Sequence, residues 1–265
     1  MERYEIGVSI NNLRNWNILE AVKEVVQNNV YAKTILGDEC SIVHDGTYVI
    51  IKNSPSGFTK GKLIIGESEQ AGVEGAPGSY GEGLKMAMLV ARRLNRKCHI
   101  ETNGFTVYPE IEPSTLDPEV QTLVFYIEEN DNTEGTTCYI ECDEDILKEA
   151  CSYFAILNNV NPETVKINSI IPDTKAVFIN GVKISETNSI LGYNFTDEKL
   201  MNRDRTTVDG DLVIKEVRVL LQYINSVPLA RTVLKGILED DTLMESQAGV
   251  FYHQVTNPKY GKQQH

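Results

Sequence analysis

WNILEAVKEVVQNNVYA, residues 16–32, is the stretch on which the fold turns. Wound as a helix, it sets Glu20, Glu24 and Asn28 four residues apart along one stripe. Ile18, Val22, Val25 and Val26 fall on or near the opposite side, which would face a core. A solvated helix carries the same polar stripe, so the stripe alone says nothing about chemistry. Asn15 or Asn17 can cap the helix, and Glu20, three residues after Asn17, completes a capping box. Two later stretches give the stripe its meaning. A glycine-rich GSYGEGLK (Gly78 to Lys85) opens a second helix, and EGTT (Glu134 to Thr137) opens a late strand. A carboxylate, a neutral amide one turn later and a phosphate cradle are the minimum parts for hydrolysing a metal-bound nucleotide.

The whole chain sets the bounds. Its 265 residues suffice for one large domain, or one domain plus an extension. A net charge of −13 argues against wrapping DNA or RNA, whose affinity comes largely from Lys and Arg on phosphates. It leaves room for a nucleotide, which needs only a local cradle. The sequence has no apolar run long enough to span a membrane. The start, MERYEIGVSI, lacks the layout of a signal segment. Five scattered cysteines without a C-x-x-C pair fit a reducing compartment, hence the cytoplasm. The four histidines do not cluster, and Cys98-His99 reads more readily as buried strand than as a metal pair.

Along the chain, RYEIGVSI alternates as a strand at a sheet edge. Asp45-Gly46 and Asn103-Gly104 turn hairpins, which makes Asp45 a turn residue and not a catalytic acid. Residues 54–79 are rich in Gly, Ser and Pro, the composition of a functional lid, with KLIIG as a helical turn inside it. EGLKMAMLVARRLNRK is a helix, and its cations Arg92, Arg93, Arg96 and Lys97 complement the dipole on a solvated face. VQTLVFYIEEN and TTCYIEC are expected to pair with each other. A helix capped by Asp143, an Asn180-Gly181 hairpin and a helix-rich end from about Asp209 follow. The expectation is an α+β fold: a two-layer α/β sandwich, mostly antiparallel sheet covered by helices, with a helix-rich C-terminal extension. The boundary is set between 1–205 and 206–265.

Four stretches in order carry a resemblance. EAVKEVVQNNVYA, IIKNSPSGF, GSYGEGLKMA and EGTTCYI resemble the N, G1, G2 and G3 boxes of the GHKL superfamily, the Bergerat-fold ATPases of gyrase B, Hsp90, histidine kinase and MutL type. Together they cover about the first 140 residues. The later FINGVKI and GYNFTDEKLMNRDRT further resemble bacteriophage proteins of the rIIA type, which would place the chain in the host cytoplasm. The resemblance implies ATP and Mg2+ as cofactors, and an adenine-nucleotide site. It makes Glu24 the general base for the attacking water and Asn28 the magnesium ligand. Asn29, about 100° around the helix, is left out of that role. Gly78, Ser79, Tyr80, Gly81, Glu82, Gly83 and Leu84 would form the phosphate loop and helix start, where backbone N–H groups and the helix dipole meet phosphate. Lys85 would either reach a phosphate or sit on the helix surface. Thr136 would bond the adenine or a water beside it.

The departure lies in the G1 box. The family pattern D-x-G-x-G has an aspartate that accepts from the adenine amino group. Ending that box on Gly57 puts Asn53 at the aspartate and Pro55 at a glycine. An asparagine can accept from adenine N6 and donate to N1, with a bond weaker by ~1 kcal/mol than a charged one. The implied function is slow hydrolysis of Mg-ATP, with nucleotide ordering the lid and switching how a second copy or a protein partner is met. The alternative is a non-catalytic nucleotide-binding or interaction module. A histidine kinase ranks below both, since no phosphoacceptor helix precedes the N box. Arg203 and Arg205 are read as structural ion-pairing groups.

Overall fold

The structure, a computed structural model, describes residues 1–65, 83–130, 134–201 and 207–249. The chain divides into two compact units, Met1–Phe154 and Ala155–His265. The boundary thus falls well before residue 205, where the sequence reading set it.

The first unit runs β1 (Glu2–Ser9), α1 (Ile18–Tyr31), β2 (Glu39–His44), β3 (Tyr48–Ser54), α2 (Lys60–Ile65), α3 (Gly83–Arg93), β4 (Cys98–Thr102), β5 (Phe105–Pro113), β6 (Gln121–Glu129), β7 (Thr136–Glu141) and α4 (Glu144–Ser152). Its strands form one sheet in the order β1-β6-β5-β4-β7-β3-β2, and every neighbouring pair is antiparallel. β1 is at the edge, as its alternation suggests. α1 packs against α3 and α4, and α1 and α3 lie on the sheet. Alternate residues Val49 and Ile51, Cys98 and Ile100, Cys138 and Ile140 are buried, which is the period-two signature of a face covered by helices. This is the expected α+β sandwich.

Local chemistry explains the element ends. Asn17 caps α1 by accepting from Leu19 N at 2.7 Å, while Glu20 accepts from Asn17 N at 2.9 Å. The capping box is complete. Asp45 Oδ1 accepts from Thr47 N and Tyr48 N at 2.9 and 2.7 Å, and turns the β2–β3 hairpin as read. Asp143 precedes α4 but makes no side-chain cap.

Two further expectations fail. β6 and β7 do not pair with each other; β6 lies between β1 and β5, and β7 between β4 and β3. β7 is apolar on its inner positions and needs a central place, which the linear order of strands conceals. Nor is Arg93 on a solvated face. Its guanidinium donates to the carbonyls of Ile10, Asn12, Leu13 and Trp16 at 2.8–3.2 Å, and so fastens the end of α3 to the segment leading into α1.

The second unit contains α5 (Pro162–Val165), β8 (Ser169–Ile171), β9 (Ala176–Ile179), β10 (Val182–Glu186), β11 (Gly192–Phe195), α6 (Gly210–Leu221), α7 (Val227–Glu239) and α8 (Met244–Ala248). Its sheet has the order β10-β9-β11-β8, with β9 and β11 parallel. Asn180 and Gly181, at φ of 51° and 78°, turn the β9–β10 hairpin, as the Asn-Gly pair predicts. Val177, Ile179, Tyr193 and Phe195 share a core with Val213, Val217 and Leu221 of α6 and Val233 of α7. The helix-rich end is therefore the helical layer of a second sheet, because its apolar stripe needs that sheet to bury it.

Buried polar groups pin this core. Asn194 is fully buried; its Oδ1 accepts from Gly181 N at 2.8 Å, and its Nδ2 donates to Val165 O and Ile167 O at 3.1 and 2.9 Å. Glu245 Oε1 accepts from Ile190 N, Leu191 N and the Tyr193 hydroxyl at 3.0, 3.0 and 2.7 Å. Burial, with Glu245 alongside, pushes the Tyr193 phenol well above its ordinary value.

Candidate functional site

One end of the helix-covered face of the first sheet turns polar. Cross-strand register sets Asn53 of β3 beside Thr136 of β7, and Thr136 beside Thr102 of β4. All three share strand parity with the buried apolar residues, so the row lies on the inner face. Thr102 Oγ1 and Thr136 Oγ1 are 3.0 Å apart, and both threonines are buried. Phe58 N donates to Thr102 Oγ1 at 2.9 Å, and Thr136 Oγ1 reaches Ser56 O at 3.4 Å. The loop after β3 is thus folded over the row.

Behind Asn53 stands Asp38. Asn53 Nδ2 donates to Asp38 Oδ2 and to Ser56 O, each at 2.9 Å. Ser56 N and Ser56 Oγ donate to the same carboxylate at 3.2 and 2.9 Å. Asp38 is buried. Two glycines are required by closeness: a Cβ on Gly57 would overlap the Asn103 side chain, and one on Gly135, at φ +82°, would overlap the Asn53 carbonyl oxygen.

α1 supplies the other wall. Asn29 is buried and donates from Nδ2 to Lys52 O at 2.7 Å, so the C-terminal part of α1 is tied to β3 next to Asn53. It is structural, as its position around the helix suggested. Asn28 is half-buried, and among the described residues its side chain makes no hydrogen bond. Glu24, one turn earlier, also makes none among the described residues. Burial pushes its carboxyl above the ordinary value, with Lys23 partly opposing. Lys23 itself sits 3.8 Å over the Tyr153 ring.

Gly83, the first residue of α3, faces Glu24 so closely that a Cβ there would overlap Glu24 Oε2. The first helix and the start of the second therefore meet at Glu24. Leu84 and Lys85 are buried; at 5% exposure, Lys85 is not the surface lysine of the milder reading. Gly78, Ser79, Tyr80, Gly81 and Glu82, most of the lid, and Arg203 and Arg205 lie outside the described residues.

The structure thus brings Glu24 and Gly83 together, and Asn53 and Thr136 together, within one unit. Sequence reasoning missed Asp38 and Thr102. Asp38 follows Gly37 beyond the helix and carries no motif; only the strand register could have placed Thr102 beside Thr136. Among the described residues, no group of three or more His, Cys, Asp or Glu could hold a metal by itself. The unbonded Asn28 amide offers a single neutral oxygen, which fits Mg2+ that keeps waters and takes phosphate oxygens as its other ligands. No helix among the described residues is long and apolar enough to cross a membrane.

No family model and no curated protein matches the chain. Among solved structures, it is similar to the ATPase region of Saccharomyces cerevisiae topoisomerase II, at 11% identity and a TM-score of 0.40, over 63% of this chain and 62% of that one. It is also similar to the same region bound to ICRF-187 (dexrazoxane), at 12% identity and a TM-score of 0.40, over 78% and 69%. The chain thus spans about 62% of the length of the first. Nothing in these comparisons supports the narrower resemblance to rIIA-type phage proteins.

Proposed function

We propose that the first unit binds Mg-ATP and hydrolyses it slowly. The observation that carries this is the meeting of Glu24 with the glycine that opens α3: a desolvated carboxylate, without a hydrogen bond among the described residues, where phosphate would approach a helix N-terminus. Burial makes Glu24 a stronger base than a solvated carboxylate, and it can hold a water's proton as that water attacks the γ-phosphate. Asn28 would hold Mg2+ through its side-chain oxygen. Mg2+, when bound, neutralises the charge that develops on the phosphates. Asn53 and Thr136 hold the base, and the loop from Ser56 to Phe58 excludes water from it. The sequence from Gly78 to Lys85 would supply the phosphate cradle. Nucleotide turnover changes how the chain meets a second copy or a protein partner.

Phosphate release by purified protein, compared with Glu24→Ala, tests the chemistry. Release that disappears in the variant while ATP still binds supports hydrolysis at this site. Equal release from both proteins overturns it. Binding without any release in the wild type leaves the non-catalytic nucleotide-binding module.

A further inference from the structure

The Asn53 amide has a fixed orientation. Both of its N–H groups are used, one on Asp38 Oδ2 and one on Ser56 O, each at 2.9 Å. A flipped amide would set its oxygen against a carboxylate and a carbonyl, two groups that only accept. Asp38 cannot swing away easily, because Ser56 N and Oγ hold it at 3.2 and 2.9 Å and its own N–H donates to Ala32 O at 3.0 Å. Asn53 Oδ1 is left over, and among the described residues it accepts no hydrogen bond. It is half-buried, on the inner face, in register with Thr136.

We propose that Asp38 is a positioning residue that locks the Asn53 amide with its oxygen presented to the ligand, so that this position reads a hydrogen-bond donor on the base. The inference rests on the nucleotide reading of the site. It narrows the sequence expectation: the amide does not donate to adenine N1, because it has no N–H to spare. An exocyclic amino group satisfies Oδ1; a keto oxygen at the same place meets it acceptor to acceptor. A second consequence runs against family analogy. An aspartate at position 53 does not improve the site, because it would set two carboxylates within hydrogen-bond distance. The pair works as one acid and one amide. Exchanging the two keeps that composition, with an asparagine at 38 donating to an aspartate at 53.

The test is calorimetric binding of Mg-ATP and Mg-ITP to the full chain; ITP carries a carbonyl where ATP carries the amino group. Wild type, Asp38→Ala, Asn53→Asp and the double exchange Asp38→Asn/Asn53→Asp are compared, each checked for folding by thermal unfolding. Wild type should prefer ATP by at least ~10-fold, the worth of one mismatched buried polar contact. In Asp38→Ala the freed amide can turn its N–H to the ITP carbonyl, so the preference should fall to about 3-fold or less. Asn53→Asp should weaken ATP by ~10-fold or more, and the double exchange should recover most of it. A merely structural Asp38 would lower both affinities together and leave their ratio unchanged. That result overturns the positioning role and leaves nucleotide binding standing. Asn53→Asp binding ATP as tightly as wild type overturns it too, and needs no folded Asp38→Ala. A wild type that binds neither nucleotide overturns the nucleotide reading and this role with it.

Discussion

Each unit carries an asparagine on an interior strand of its sheet, Asn194 fully buried and Asn53 half-buried, and the two are used differently. Asn194 in the second unit has every hydrogen-bonding group matched: oxygen to Gly181 N, amide to two carbonyls. Asn53 in the first has its N–H groups matched, while its oxygen accepts no hydrogen bond among the described residues. Asn28 and Glu24 on α1 extend the contrast, since neither side chain makes a hydrogen bond among the described residues. A saturated buried amide specifies a fold. A half-saturated one keeps an acceptor that a bound ligand can use.

The contrast can be broken most forcefully at Glu24. Glu24→Gln should cut phosphate release by ~10²–10⁴-fold while ATP binding persists. It should also raise Tm at neutral pH, because burial disfavours the ionised form. The sign follows from the raised carboxyl: ionisation weakens the fold, so wild type loses stability relative to the variant as pH rises through the folded value, and the gap closes in acid. Phosphate release, which needs the ionised form, should fall off on acidification above the usual carboxylate range, as a pH–rate profile would record. Equal Tm for both proteins across pH would show that Glu24 is solvated.

Asn194→Ala comes next. It strands two buried carbonyls and should cost the second unit about 2–3 kcal/mol in denaturant unfolding, with ATP affinity of the folded protein unchanged. Asn53→Ala should reverse that pattern. Its stability cost is nearer 1 kcal/mol, while ATP affinity, measured by calorimetry, falls ~10-fold. If both variants lose stability and affinity in proportion, the distinction between a saturated and an open amide has no functional content. Smallest is Asn17→Ala, which removes the α1 cap and should cost about 1 kcal/mol without altering ATP affinity.

Much of the first unit was legible because local chemistry and tertiary placement agree there. The Asn17 capping box, the Asp45 turn and the period-four stripe of α1 are short-range signals, and each stands where the sequence put it. The pairing of β7 was not legible, since strand order in a sheet depends on which apolar faces must be central. Arg93 looked like a dipole complement because its partners are some eighty residues away. Asp38 had no motif to mark it, and its role exists only once β3 and the end of α1 are brought side by side. The second sheet was read as a hairpin plus loose helices for a similar reason: its β9–β11 contact is parallel and joins strands separated by β10.

Arg93 has a mechanical corollary. Its guanidinium holds the C-terminal end of α3 to the approach of α1, while Gly83, at the opposite end of α3, presses on Glu24 midway along α1. The two helices thus behave like a pair of tongs with a riveted joint. A wedge between them would meet four hydrogen bonds at the Arg93 end and bare steric contact with Glu24 at the Gly83 end.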